Sequence, residues 1–287
     1  MVTPGRSITR QHIQSYILPT LVLVLFVVGY YPSLALITQK WLASDDYTHA
    51  FFIVPAIGYM IWLKRGCLAE HNGGSPVALF FVVAAVLFYL FSLRIEVPTF
   101  IFLATAVSLV AVLCYLGGFG VLKELAVPIL LFFMIIPIPG QILSMLTASL
   151  QLRISEISEI LIRLFGVPMF REGNVLHVEK ISFQVIEACS GIRSLLSMTT
   201  LSILIGYFTL TRISSTVLLL LFSIPVAIAI NIVRVVVLVL AFYFLQVDLS
   251  VGVSHTLTGL ILFLLGLVLL FAFQRLLESW ERKKRNS

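Results

Sequence analysis

Long runs of apolar residues, separated by short polar segments, recur along the whole chain. Most of them contain about 20 residues, the number that a helix needs to cross the hydrocarbon layer of a bilayer. Only helices and closed barrels satisfy their backbone groups in lipid. The pattern therefore predicts an all-α polytopic membrane protein with about eight transmembrane helices. The predicted spans are residues 17–37, 49–63, 76–93, 97–116, 121–139, 189–210, 214–245 and 255–275.

Two of these runs have unusual lengths. The run at 49–63 is short, and the run at 214–245 is long and contains Pro225. Tilt, a kink at the proline and a partly re-entrant start all remain open for them.

The pattern changes in residues 140–188, which contain no apolar run of spanning length. Apolar residues recur first at spacings of three and four, which predicts a helix that lies at the membrane interface. Gly166 and Pro168 end this helix. Alternating residues in Val175–Val178 and Ile181–Val185 then predict a short β-hairpin before span six. The apolar positions of the helix are Leu146, Leu150, Ile154, Ile157, Leu161 and Leu164.

The composition agrees with a membrane protein, since 60% of the residues are hydrophobic and only 11% are charged. A soluble domain usually carries about 25% charged residues. Threading eight spans from a cytoplasmic N-terminus places eleven Lys and Arg residues inside and six outside. By the positive-inside rule, both termini are cytoplasmic. Residues 1–287 then form one integral membrane domain, with 140–188 at the outer face and 276–287 as a cytoplasmic basic tail.

Three side chains capable of chemistry meet at one face in this topology. Cys189 begins span six from the outside, Arg234 lies in the outer half of span seven, and His255 begins span eight. A thiolate near cationic groups and a helix N-terminus is a competent nucleophile. The imidazole can accept and return its proton, and the guanidinium can stabilise an oxyanion. The combination predicts nucleophilic catalysis by a thiol.

Each of the three residues also has a simpler interpretation. Cys189 can be a small packing residue, Arg234 can form a structural ion pair, and His255 can cap a helix. A rival hypothesis for the whole site is a transporter or binding protein, in which Arg234, Arg193 and His255 form an outward-facing anion pocket. A polymer-assembly scaffold without catalysis is a third hypothesis.

Arg193, His49 and Asn231 are secondary candidates for substrate binding. Arg193 follows Cys189 by four residues, so the two would share a helical face, although pairing with Glu187 or Glu179 is an alternative. His49 would line the outer mouth of span two, or cap its helix. We expect no cofactor, no metal and no nucleic-acid partner, because neither a ligand spacing for metal nor a phosphate-cradling glycine motif is present.

Several motifs together resemble the exosortase/archaeosortase family over nearly the whole chain. They are Glu187-Ala188-Cys189-Ser190-Gly191-Ile192-Arg193-Ser194-Leu195, Asn231-Ile232-Val233-Arg234, His255 and the segment from Thr48 to Pro55. Family members commonly have Ser-His-Gly where this chain has Thr48-His49-Ala50, which weakens the assignment of His49. The region 140–170 does not align, so the resemblance assigns no pocket for the substrate signature.

The resemblance implies a membrane-embedded cysteine protease or transpeptidase of the bacterial exosortase branch. It places the nucleophile at Cys189, the essential arginine at Arg234 and the third catalytic residue at His255, where archaeal relatives carry arginine. The implied partners are exported proteins with a C-terminal signature such as Pro-Glu-Pro, an apolar helix and a basic tail, together with membrane lipid and an unknown amine acceptor. The implied location is the bacterial inner membrane, with the active site toward the periplasm.

Overall fold

A computed structural model of the protein describes residues 21–44, 47–69, 74–178, 181–185, 191–249 and 252–286. Helices dominate these residues, and three short strands form one small sheet. The chain divides into two compact units, Met1–Ile138 and Pro139–Ser287, and each is described here by itself.

The first unit contains seven helices in its described residues. Proline occupies one of the first two positions of α2, α5 and α6, where the missing amide hydrogen removes no helical bond. A bond of 2.6 Å joins the buried hydroxyls of Ser33 and Thr105. The helices are α1 (Leu21–Gly29), α2 (Tyr31–Ala43), α3 (Ala50–Leu63), α4 (Arg65–Ala69), α5 (Pro76–Ile95), α6 (Pro98–Glu124) and α7 (Ala126–Met134).

The second unit is arranged around one long helix, α10, which contacts α8, α9 and α11. A buried apolar cluster joins α8, the sheet and α10, with Ile154, Leu176, Val185 and Val239 among its members. The elements are α8 (Gly140–Leu164), β1 (Met169–Glu172), β2 (Val175–Val178), β3 (Ile181–Gln184), α9 (Ile192–Thr209), α10 (Ile213–Leu245) and α11 (Gly252–Asn286).

Five described helices are long and apolar enough to cross a membrane: α5, α6, α9, α10 and most of α11. A sixth span results if α1 and α2, which meet at 67°, form one bent span. The chain is therefore an integral membrane protein, but the predicted count of eight is not confirmed. The run at 49–63 is a 14-residue helix, and the run at 121–139 contains the nine-residue α7.

The run at 121–139 is interrupted by main-chain geometry that apolar composition does not reveal. Leu125 ends α6 with a non-helical turn, and α7 begins directly after it. By contrast, α10 is one helix of 33 residues that includes Pro225. Its length is about 50 Å at 1.5 Å per residue, which exceeds the hydrocarbon thickness.

The predicted helix between Leu146 and Leu164 is present as α8, and its buried face mixes apolar and polar residues. The leucines at both ends of the predicted stripe are exposed, while small polar residues face inward. Ser155 donates to the carbonyl oxygen of Gly173 over 3.1 Å, and Asn174 donates to Gln151 over 3.1 Å. Bonded inward groups such as Ser155 and Gln151, together with outward leucines, suit a helix whose outer surroundings are apolar. The buried residues are Thr147, Gln151, Ile154, Ser155, Ser158 and Ile162.

The predicted hairpin is confirmed and extended by one strand. The sheet is antiparallel with the order β1-β2-β3, and β2 and β3 are the two predicted strands. Strand β1 pairs with β2 from Met169↔Val178 to Glu172↔Val175. The sequence of β1, Met-Phe-Arg-Glu, does not alternate apolar and polar residues, which is why the pattern did not predict it.

Candidate functional site

The second unit brings Arg234 of α10 into contact with His255 of α11. Nη2 of Arg234 lies 2.8 Å from Nε2 of His255 and donates to the carbonyl oxygen of the same residue over 3.3 Å. Both side chains are half-buried. The two residues that the sequence predicted to work together on spans seven and eight therefore touch.

Because Arg234 is the donor in this contact, the protonation state of the His255 ring can be assigned. A guanidinium has donors only, so Nε2 of His255 must accept the hydrogen bond. The ring is then neutral and carries its proton on Nδ1, a tautomer inferred from the bonding partner. In this state Nε2 cannot take a proton from another group until Arg234 moves its N–H elsewhere.

Gly259, one turn after His255 on α11, gives the guanidinium its space. A Cβ atom at this position would lie 2.9 Å from Nη2 and 3.1 Å from Cζ of Arg234. The shorter separation is closer than real Cβ contacts allow, so any larger residue would displace the arginine or the helix. Gly259 thus determines how closely Arg234 approaches α11.

The start of α9 differs from the prediction that span six begins at residue 189. The helix begins at Ile192, and Gly191 before it has a left-handed φ of 78°. The expected sharing of one helical face by Arg193 and Cys189 stays a prediction, because Cys189 lies outside the described residues. Arg193 is half-buried in the first turn of α9.

Asn231 connects α10 to the start of α9. Its Nδ2 donates to the hydroxyl oxygen of Ser194 over 2.6 Å and to the carbonyl oxygen of Ala227 over 2.8 Å. Ser194 in turn donates to the carbonyl oxygen of Gly191 over 3.0 Å. Asn231 is only 4% exposed. These contacts favour a role in holding Gly191 in place over the predicted role in binding substrate.

Gly191 lies against the same amide. A Cβ atom on it would be 2.7 Å from Nδ2 of Asn231 and 3.0 Å from Cγ. Its positive φ also disfavours any other residue. Two independent constraints, one steric and one conformational, thus require glycine two residues after Cys189.

His49 belongs to the first unit, where its side chain is 9% exposed. Its ring stacks on Tyr47 with 6.3 Å between the centroids. Tyr47 accepts a hydrogen bond from the amide of Ile138 over 2.8 Å. His49 is the N-cap residue of α3, but its side chain makes no capping hydrogen bond. Its predicted role at the substrate stays a prediction.

Sequence reasoning gave no role to Gly191, Gly259 and Ser194, although the first and last of them belong to the motif around Cys189. The two glycines carried a usable signal, because glycine inside a helix or directly before one often marks a close approach of another group. Among the residues that the structure describes, no group of three or more His, Cys, Asp and Glu side chains is placed to hold a metal ion.

Comparison with protein families gives one match. Residues 41–272 match the family model described as transmembrane exosortase (Exosortase_EpsH). The matched range includes Cys189, Asn231, Arg234 and His255. Searches of curated proteins and of solved structures found no significant match.

Proposed function

Because the chain belongs to the transmembrane exosortase family, whose members are proteases and transpeptidases, we propose that Cys189, Arg234 and His255 form its catalytic centre. The family acts on exported proteins with C-terminal sorting signals. The proposed reaction is cleavage of a signal of the Pro-Glu-Pro type through a thioester of Cys189. The observation that carries the proposal is the 2.8 Å contact between Arg234 and His255.

The chain itself restricts where Cys189 can be. Only one residue lies between it and Gly191, so their Cα atoms are at most about 7 Å apart. Gly191 is buried against Asn231, which lies one turn before Arg234 on α10. This connectivity supports a thiol close to the arginine and the histidine.

The hydrogen bond between Arg234 and His255 suggests the first step. When a substrate carbonyl accepts the N–H of Arg234, Nε2 of His255 is released and can take the proton of the Cys189 thiol. Substrate binding and activation of the nucleophile are then one event. An arginine placed on the developing oxyanion is the kind of group whose removal typically reduces kcat by about 10²- to 10³-fold.

The remaining steps follow the usual order of thiol acyl transfer. The Cys189 thiolate attacks the scissile carbonyl carbon, and the tetrahedral oxyanion lies against Arg234. The C–N bond then breaks, and protonated His255 gives its proton to the departing amine, which leaves with the apolar helix of the signal. An acceptor amine attacks the thioester, forms a new amide and returns the thiol. Water in place of the amine gives hydrolysis.

We further propose the bacterial inner membrane as the location, with both termini in the cytoplasm and the catalytic centre toward the periplasm. The excess of Lys and Arg on the predicted inner side supports this orientation. It leaves the basic tail of a substrate in the cytoplasm and its signature at the outer interface. The α8 segment and the sheet would lie at the same outer face.

The proposal is tested by co-expressing the chain with a protein that carries a Pro-Glu-Pro-type tail. Loss of the tail is scored by gel shift and mass spectrometry for the unmodified chain and for Cys189→Ala, Arg234→Ala and His255→Ala. Cys67→Ala is the matched control, because Cys67 is an exposed cysteine of the first unit. We expect processing in the control and in the unmodified chain only. Mass added at the new C-terminus identifies transfer to an acceptor.

The rival anion-pocket hypothesis predicts a different result. A pocket made of Arg234, Arg193 and His255 needs no thiol, so Cys189→Ser would leave it intact. Processing that survives in Cys189→Ala would remove the nucleophile assignment. Tails that stay intact with a folded, unmodified chain and several candidate partners would favour the anion pocket.

A further inference from the structure

The three-stranded sheet of the second unit has two edges that differ in their hydrogen bonding. The amide of Val185 donates to the carbonyl oxygen of Asn174 over 2.9 Å, so position 185 faces β2. In an antiparallel pair, inward and outward positions alternate. Ile181 and Phe183 therefore bond to β2, while the main-chain groups of Ser182 and Gln184 point away from it.

The opposite edge, on β1, is partly covered by a side chain of α8. The same alternation directs the main-chain groups of Met169 and Arg171 away from β2. Arg163 of α8 donates to the outward carbonyl oxygen of Met169 over 3.1 Å. Covering an edge in this way prevents another strand from pairing with it.

The β3 edge is open in the part of the chain that the structure describes. No described residue forms a hydrogen bond with the outward main-chain groups of Ser182 and Gln184, and both residues are exposed. Each has one N–H and one C=O to offer. An edge of this kind pairs readily with an extended peptide.

The position of β3 connects this edge to the catalytic centre. Phe183 packs on Phe242 of α10, with 5.4 Å between the ring centroids. Val185 belongs to the same buried cluster as Ile232 and Val235, which flank Arg234 on α10. Only three residues lie between Val185 and Cys189 in the sequence. A peptide paired with β3 would therefore lie alongside the segment that leads to the nucleophile.

We propose that the open edge of β3 binds an extended segment of the sorting signal as a fourth strand, next to the scissile bond. The inference rests on the proposed function, since it names how the same site holds its substrate. Recognition through main-chain groups fixes the direction and depth of the peptide and places few demands on its side chains. The partly covered β1 edge favours β3 as the side on which the strand is added.

Proline substitutions on β3 test the open edge, and alanine substitutions at the same positions are their controls. Ser182→Pro and Gln184→Pro each remove one outward N–H and no bond to β2, whereas Ser182→Ala and Gln184→Ala remove the side chain and keep the N–H. Edge positions whose N–H points outward accept proline. The variants are made in a Cys189→Ala background, so that binding is measured without turnover. The probe is a fluorescent synthetic peptide with a Pro-Glu-Pro-type signature and the residues that follow it.

We expect each proline variant to bind the peptide about 5- to 10-fold more weakly than the alanine variant at the same position, as the loss of one hydrogen bond predicts. Ester replacement of single amides in the peptide provides a second measurement that leaves the protein unchanged. The loss of affinity should be large at every second peptide amide, because only alternate amides of an added strand would face β3. Equal affinities for proline and alanine, esters with uniform effects, or no binding at all would each overturn the proposal.

The outcomes separate this inference from the proposed function. If the unmodified chain cleaves the peptide and proline matches alanine, the enzyme assignment stands and the β3 edge is not its docking site. If proline weakens binding but no chain cleaves the peptide, the edge binds the signal and the catalytic assignment fails.

Discussion

Nη2 of Arg234 holds both the ring and the main chain of His255, at 2.8 Å from Nε2 and 3.3 Å from the carbonyl oxygen. One nitrogen thus links α10 to the first turn of α11. The contact orients the imidazole and also occupies the atom that would act as a base. Under the proposed mechanism, a substrate carbonyl that accepts the N–H of Arg234 would release Nε2 of His255 and allow it to act as a base.

Gly259→Ala should reduce activity without loss of stability. A Cβ atom at this position would meet Nη2 of Arg234 at 2.9 Å, so the guanidinium must move. Alanine by itself favours a helix by about 1 kcal/mol over glycine, which offsets part of the strain. We expect kcat to fall at least about 10-fold, as for a misplaced catalytic group. The measurement is tail cleavage together with thermal unfolding in detergent.

Gly58→Ala is the matched control for this substitution. Gly58 lies inside α3, and a Cβ atom there would meet no atom within 4 Å. It should leave cleavage unchanged. Equal cleavage by Gly259→Ala and Gly58→Ala would show that Arg234 does not need its close approach to α11.

Gly191→Ala should destabilise the protein more than Gly166→Ala. Both glycines have positive φ, 78° and 80°, so the conformational strain of alanine is similar, about 1 kcal/mol or more. Only at Gly191 would the new Cβ atom also meet Asn231, at 2.7 Å. The difference between the two losses in free energy of unfolding, measured by chemical denaturation, gives the cost of the contact with Asn231. A smaller loss at Gly191 than at Gly166 would contradict this packing.

Asn231→Ala and Ser194→Ala should be coupled, because a 2.6 Å hydrogen bond joins the two side chains. Each single substitution is expected to destabilise the protein by about 1–3 kcal/mol. The double variant should lose less than the sum, by about 1 kcal/mol. Strictly additive losses would mean that the bond contributes nothing. The same variants should show reduced kcat with little change in KM, since Asn231 is buried and holds the segment after Cys189.

Glu281→Ala should destabilise the protein, because Glu281 of α11 stabilises the start of α10. The buried carboxylate accepts from the amides of Thr211 and Arg212 over 2.9 and 3.1 Å, and from the hydroxyl of Thr211 over 2.7 Å. It thereby caps the start of α10 from α11. We expect a loss of about 2–3 kcal/mol, as for hydrogen bonds to a charged group.

Glu156→Ala is the control for this prediction. Its carboxylate pairs with Arg153 over 3.3 Å on the exposed side of α8. Such a surface pair should change stability by less than about 0.5 kcal/mol. Equal losses for the two glutamates would show that Glu281 has no capping role.

The sequence brought Arg234 and His255 to one face, and the structure shows them in contact. Arg234 and His255 were identified because charged and titratable groups inside apolar runs require a partner or a function. Asn231 was named for its place in the motif that ends at Arg234, and its hydrogen bond to Ser194 could not be predicted because it forms only when α9 packs on α10. The start of α9 was predicted three residues too early, since apolar composition does not reveal that Gly191 has a left-handed conformation.

The predicted spans were likewise correct where apolar length decides and incomplete where a turn interrupts an apolar run. Apolar composition predicted the segments that form α5, α6, α9, α10 and α11, because their lengths match a bilayer. It did not separate α6 from α7, since the turn at Leu125 lies inside an apolar run. Strand β1 was missed because its four residues carry no period of two.

The polar part of the inner face of α8 limits how that helix could be redesigned. Ser155 and Gln151 are bonded to the turn between β1 and β2, so apolar replacements there would break bonds to Gly173 and Asn174. Replacing the exposed Leu146, Ile157 and Leu164 with glutamate or lysine would instead change only the outer surface of α8. Such a variant would keep its need for lipid or detergent, because α9, α10 and α11 remain apolar and long enough to span a membrane.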